Sequence, residues 1–128
     1  MLARKVLIVE DDNLMQDFLR ETLQRLNLGV ETASSGEEAL QKISNNNFAV
    51  ILSDIRMPTL SGMEVLKKVK QTTPDTKVVM MTAYGTVENA VEAMKLGAFD
   101  YVMKPFSADE IELVVKKALE YQSLVEEN

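Results

Sequence analysis

Histidine, cysteine and tryptophan are all missing from this chain of 128 residues. Without histidine there is no histidine metal site, no Ser-His or Cys-His nucleophile pair, and no phosphohistidine carried by the chain itself. Without cysteine there are neither disulfides nor thiol chemistry, which suits a reducing cytosol. Long hydrophobic runs are missing too: stretches such as Val6 to Val9 are far too short to cross a bilayer. The start, Met1-Leu2-Ala3-Arg4-Lys5, leads straight into that run and lacks the longer apolar stretch and small-residue cleavage site of a signal peptide. A mature cytoplasmic protein with no membrane association is therefore expected. Positive charge is in deficit: 14 Lys and Arg stand against 20 Asp and Glu, a net charge of −6. Such a chain repels a phosphate backbone, so direct contact with nucleic acid is disfavoured. Lys67-Lys68 and Lys116-Lys117 read as solvated helix faces. No internal repeat or low-complexity segment breaks the pattern.

What is present is ordinary for one folded domain: 46% hydrophobic and 27% charged residues in a chain long enough for a single core. The pattern is alternation. Val6-Leu7-Ile8-Val9 is a short β-branched run; from Leu14 the period changes, and Leu14, Phe18, Thr22 with Leu23, and Leu26 form a helical stripe ending near Asn27-Leu28-Gly29. Asp12 is placed to cap that helix. Val30 to Ala33 is a weaker strand. Ser34-Ser35-Gly36-Glu37-Glu38 opens a second helix with a hydroxyl cap and an acidic first turn; Ala39, Leu40 and Ile43 face inward, and Asn45-Asn46-Asn47 stops it. Phe48 to Leu52 is the next apolar run and Pro58 to Gly62 a loop. Met63, Leu66 and Val69 mark a third helix, broken at Thr72-Thr73-Pro74-Asp75. Lys77 to Met81 is a strand, and Val87, Ala90, Val91 and Met94 stripe a fourth helix closed by Gly97. Phe99 to Met103 is the last strand. Ser107 caps a final helix with Ile111, Val114, Val115, Ala118 and Leu119 on its inner face. Met80 and Met81 read as core filler.

Five β-α units joined by helical crossovers imply a parallel α/β sheet covered on both faces. An open doubly wound sheet and a half-barrel both satisfy this, and the length favours the open sheet. In such sheets sites lie at the carboxyl ends of the strands, near the point where strand order reverses. Those ends carry Glu10-Asp11-Asp12, Asp54, Thr82 with Ala83, and Lys104-Pro105; the second strand ends in Ala33-Ser34 and adds little. Converging carboxylates repel one another and retain protons unless a cation intervenes. A hard divalent ion such as Mg2+ suits a few carboxylates completed by water and phosphate. Lys104 and Thr82 suit an anion on the far side. Carboxylate, Mg2+, lysine and hydroxyl are the parts for phosphoryl transfer, in which a carboxylate can itself be the acceptor.

Four segments fall in order at those strand ends: Val9-Glu10-Asp11-Asp12, Ser53-Asp54-Ile55-Arg56-Met57-Pro58, Met81-Thr82-Ala83 and Tyr101-Val102-Met103-Lys104-Pro105-Phe106. Through them the chain resembles the bacterial response-regulator receiver domain along nearly its whole length. The resemblance implies a flavodoxin-like (βα)5 fold, a doubly wound parallel sheet of strand order 2-1-3-4-5 with helices on both faces. It implies that Asp54 is the phosphoacceptor. It makes Asp11 a direct Mg2+ ligand together with Asp54 and the backbone carbonyl of Arg56, and Glu10 a ligand through water, with Mn2+ a substitute metal. Thr82 and Lys104 would hold the phosphoryl oxygens. Tyr101, a half-buried strand aromatic, would be the rotameric partner of Thr82 in a switch. The Lys104-Pro105 bond is often cis in the family. Glu10 stands where many relatives have aspartate and Leu60 where methionine is frequent; neither is expected to change the chemistry.

The implied activity is not that of a conventional enzyme: the domain catalyses its own aspartyl phosphorylation and dephosphorylation. With no histidine in the chain, the phosphohistidine donor must sit on another protein, resembling a sensor histidine kinase. Phosphorylation would reshape the surface from Val87 to Leu119 and control a downstream output, with a phosphorylation-dependent homodimer as one assembly. The stretch from Met81 to Phe106 looks like receivers of NtrC-like transcription activators. Residues 1–121 are expected to form the receiver and 122–128 a helical linker toward an output domain. Three rivals stand beside this. One is a receiver-like interaction module that is never phosphorylated. A flavodoxin-type electron carrier needs a Ser/Thr/Gly loop where Glu10-Asp11-Asp12 stands. A haloacid-dehalogenase-type phosphatase needs Asp-x-Asp after the first strand.

Overall fold

The structure, a computed structural model, describes residues 4–83 and 87–127. Expectations for the first three residues, the Val87 side chain and Asn128 fall outside them. Strands and helices alternate: β1 (Lys5–Val9), α1 (Asn13–Gln24), β2 (Gly29–Ala33), α2 (Gly36–Asn45), β3 (Val50–Asp54), α3 (Gly62–Thr72), β4 (Lys77–Thr82), α4 (Val87–Lys95), β5 (Asp100–Met103) and α5 (Ala108–Glu127). All strand pairs are parallel, in the order β2-β1-β3-β4-β5. This is the doubly wound, flavodoxin-like arrangement, and it excludes the half-barrel. The register pairs Val9 with Ser53, Asp54 with Met81, and Thr82 with Met103. Glu10, Asp54, Thr82 and Lys104 therefore leave the sheet along one rim.

Successive side chains on a strand point to opposite faces, so each apolar run feeds two cores. Leu7, Val9, Ile51, Val78 and Met80 pack on one side with Ala39 and Ile43 of α2, Val65, Leu66 and Val69 of α3, and Ala93 of α4. Val6, Ile8, Val50, Leu52, Val79 and Met81 pack on the other with Leu19 and Leu23 of α1 and Ile111, Val114, Val115 and Ala118 of α5. Fully burying one such aliphatic side chain contributes roughly 1.5–3 kcal/mol.

Two helical stripes differ from the sequence expectation. On α1, Leu14 is 82% exposed and Phe18 is 37% exposed; the buried positions are Gln16, Leu19, Thr22 and Leu23. Phe18 instead stacks on Phe106, ring centroids 6.4 Å apart. On α4 the small residues Ala90 and Ala93 are buried, while Val91 and Met94 face solvent. Small side chains let this helix lie close to the sheet, leaving its larger apolar residues outside.

The caps follow local chemistry. Asp12 accepts from the Leu14 and Met15 amides, and Ser35 accepts from the Glu38 amide. At α5, Ser107 Oγ accepts from the Glu110 amide while the Glu110 carboxylate accepts from the Ser107 amide, a reciprocal capping box. Gly97, at φ 103°, ends α4; Ala98 N bonds to Ala93 O and Gly97 N to Met94 O, which satisfies two terminal carbonyls. Thr59 adopts φ 69° in the loop after β3, a conformation costing a β-branched residue on the order of 1–3 kcal/mol.

Candidate functional site

The rim is built by backbone bonds before any side chain is considered. Glu10 N donates to Ala33 O, Ile55 N to Met81 O, and Lys104 N to Thr82 O, each at 2.8–3.1 Å, so the first residues beyond β1, β3 and β5 are tied to neighbouring strands. The Lys104-Pro105 peptide is cis. Gly62, at the start of α3, lies against the backbone of Asp54 and donates to Ile55 O.

Onto this frame the chain places three carboxylates. Glu10 is fully buried, Asp54 nearly so, and Asp11 exposed; one oxygen from each lies within 4.8 Å of the others. Lys104 Nζ sits 2.8 Å from Glu10 Oε1 and 3.1 Å from Asp54 Oδ2. The amide of Arg56 points at Asp54 Oδ1, 3.4 Å away. Burial raises the Glu10 pKa from 4.5 to about 7, helped by Asp54 and opposed by Lys104. Burial alone would lower the Lys104 pKa, but its bonds to Glu10 and Asp54 outweigh this and raise it. Were all three carboxylates ionised, one ammonium would leave two negative charges uncompensated, the charge of one divalent cation. The donor set is all oxygen with an exposed member at the mouth, which fits a hard cation that keeps part of its water shell. Thr82 is buried at the next strand end and its hydroxyl donates to Val102 O at 3.4 Å. Tyr101, expected half-buried, is 37% exposed.

Comparison with known proteins agrees with this geometry. The family described as Response regulator receiver domain matches residues 6–116. The chain belongs to the receiver-domain family. It is 40% identical to the Regulatory protein AtoC of Escherichia coli over 123 residues, which are 96% of this chain and 27% of AtoC. It is 40% identical to the Response regulator protein FleR of Pseudomonas aeruginosa over 119 residues, 92% of this chain and 25% of FleR. This receiver domain thus spans about a quarter of the length of the curated relatives it matches. Among solved structures it superposes on a receiver-domain protein from Clostridium thermocellum with a TM-score of 0.90 at 33% identity, covering 95% of this chain and 98% of that one. With NtrX from Brucella abortus bound to ADP the TM-score is 0.92 at 32% identity, covering 98% of this chain and 29% of that one. The relationship to NtrC-like activators read from Met81 to Phe106 holds. The acidic cluster of Glu10, Asp11 and Asp54 lies where a receiver domain is phosphorylated, and fits its aspartyl phosphorylation and dephosphorylation.

The buried glutamate gives this receiver domain a pH signature. Between 4.5, the ordinary value, and about 7, its value here, the folded chain keeps a proton on Glu10 that the unfolded chain has lost. In cation-free buffer, stability is therefore expected to fall as pH rises through that window and this contribution to level off above it. Urea midpoints across the window should show a shallower slope for Glu10→Gln than for wild type. Identical slopes would assign the effect to another group.

One residue at the site escapes sequence reading. Gln16 is buried and its amide reaches the Glu10 carbonyl oxygen at 2.6 Å. The available signal was its spacing: Gln16, Leu19 and Leu23 share one helical face, so a polar residue stood on the core-facing stripe.

Proposed function

We propose that this receiver domain accepts a phosphoryl group on Asp54 from the phosphohistidine of a separate sensor kinase and uses it to switch the α4-β5-α5 surface. The observation that carries the reading is the convergence of three carboxylates and Lys104 at the carboxyl ends of β1, β3 and β5. An Asp54 oxygen attacks phosphorus in line; the P–N bond of the donor breaks and its electron pair returns to the donor imidazole. Lys104 moves its ammonium from the carboxylates toward the phosphoryl oxygens as charge gathers there. Glu10, Asp11, Asp54 and the Arg56 carbonyl would hold Mg2+, with Mn2+ a substitute and Glu10 acting through water. When bound, this ion supplies positive charge to the oxygens of the transferring group. Attack by water on the aspartyl phosphate returns Asp54 to a free carboxylate.

Thr82 then gives up its bond to Val102 O for the phosphoryl group, and Tyr101 turns inward. The phosphoryl group favours one of two packings through its differential contacts. Val91, Met94, Tyr101 and Leu113, all exposed on α4, β5 and α5, form the surface offered to an output domain or a second copy. Residues 1–121 make up the receiver in this reading, and residues 122–128 serve as a linker. Relatives carrying the name Transcriptional regulatory protein favour transcription as the output, and the location in this reading is the cytoplasm. The acidic charge keeps this domain itself off nucleic acid, and no helix among the described residues is long and apolar enough to cross a membrane.

Incubation with acetyl phosphate and Mg2+ is expected to add phosphoryl mass to Asp54, and Asp54→Asn to abolish it. Labelling that survives in Asp54→Asn refutes the assignment. A folded wild-type domain that takes no label supports the unphosphorylated interaction module instead.

A further inference from the structure

Gln16 occupies the first turn of α1 and is buried, with Leu19 and Leu23 on the same face. Its side-chain nitrogen lies 2.6 Å from the Glu10 carbonyl oxygen, 3.0 Å from Ser34 Oγ and 3.4 Å from the Ala33 carbonyl oxygen. A carboxamide has two N–H donors, and here three acceptors, from the end of β2 and from the loops after β1 and β2, gather round them. A leucine would extend the apolar stripe; glutamine brings a donor that ties both loops.

The Glu10 carbonyl belongs to the peptide unit joining Glu10 to Asp11. That unit is planar, so fixing its oxygen fixes the plane from which two Cα atoms, each bearing a carboxylate, depart. The Glu10 amide is already held by Ala33 O at 3.0 Å. Residue 10 is therefore clamped on its N–H side by β2 and on its C=O side by Gln16. From this clamp the Glu10 side chain runs inward to Lys104, while Asp11 stands at the exposed mouth.

We propose that Gln16 is a positioning residue for the divalent-cation site, acting through the Glu10–Asp11 peptide unit rather than by touching the cation. This rests on the reading that Glu10, Asp11 and Asp54 hold such an ion. A small divalent cation demands near-ideal angles from its donors, and groups that orient ligands typically control affinity by about 10–100-fold.

The test titrates wild type, Gln16→Met and Gln16→Asn with Mn2+ by calorimetry. It also follows cation-free thermal unfolding and measures acetyl-phosphate labelling at saturating Mn2+. Methionine keeps the length without a donor; asparagine keeps the amide but draws it back by one methylene. Gln16→Met is expected to raise the Kd for Mn2+ about tenfold or more, with the labelling rate at saturating Mn2+ falling far less, and Gln16→Asn to shift Kd in the same direction. Folded variants with wild-type Kd and only a lower melting temperature would overturn the proposal and leave Gln16 a structural residue. If Gln16→Met does not fold, the Kd of Gln16→Asn decides. Wild type that binds no Mn2+ would overturn the cation reading beneath it, an outcome distinct from wild-type binding that the variants leave unchanged.

Discussion

Lys104→Met is expected to slow phosphorylation of Asp54 by about a hundredfold, the scale for removing one preorganised charge donor from developing negative charge. Among the described residues Lys104 is the cation paired with both Glu10 and Asp54, at 2.8 and 3.1 Å. Methionine preserves the aliphatic stem and deletes the ammonium. Two carboxylates, one of them fully buried, then face each other without compensation. In cation-free buffer this should cost about 2 kcal/mol, below the roughly 3–5 kcal/mol of a broken buried pair. The relief comes from Glu10: already raised to about 7 by burial, it rises further and keeps its proton at neutral pH. Mg2+ should then restore much of the stability but little of the rate, because a cation held by the carboxylates would not replace the ammonium that Lys104 brings to the transferring group. Labelling time courses and urea unfolding with and without Mg2+ separate the two. A labelling rate within a few-fold of wild type would remove Lys104 from the chemistry.

Gly62→Ala is expected to destabilise the domain by about 3 kcal/mol, at the upper end for overpacking. A Cβ at position 62 would lie 2.0 Å from Asp54 O, 2.9 Å from Asp54 C and 3.0 Å from Ile55 Cα. All three are backbone atoms, so no rotamer relieves the overlap. Either the start of α3 lifts away, losing the 2.8 Å bond from Gly62 N to Ile55 O, or the end of β3 moves and carries the Asp54 carboxylate with it. Labelling should therefore fall alongside stability. Gly29→Ala is the control: a Cβ there meets nothing nearer than 3.4 Å, so a change within about 0.5 kcal/mol is expected. Equal urea midpoints for the two variants would contradict the steric account.

Much of this was legible in the sequence because the signals were local. Short apolar runs, each ending in a charged or hydroxyl residue, gave strand ends and rim chemistry together, and parallel pairing brought Glu10, Asp54, Thr82 and Lys104 to one edge. The helix faces were less legible. On α4, the pattern pointed to Val91 and Met94 as well as Ala90, whereas close packing kept Ala90 and took the equally small Ala93 in place of the larger two. On α1, Leu14 lies just past the Asp12 cap and faces solvent, a placement set by the direction in which the helix leaves the rim. Gln16 was missed because its partners, Glu10 O and Ser34 Oγ, come from two different loops. The salt bridge from Lys104 to Glu10 spans 94 residues of chain; only the topology makes them neighbours.

The sheet also decides which defects can compensate for one another. Leu7 and Ile8 are adjacent in the chain yet belong to cores on opposite sides. A void opened under α5 by trimming Ile111 borders Leu19 and Leu23 of α1 and the even-numbered residues of β1 and β3. Enlarging Leu66 or Val69 on the far side does nothing to fill it. Second-site suppressors should therefore pair by the face of the sheet they occupy rather than by distance along the chain, and lesions on opposite sides should combine additively.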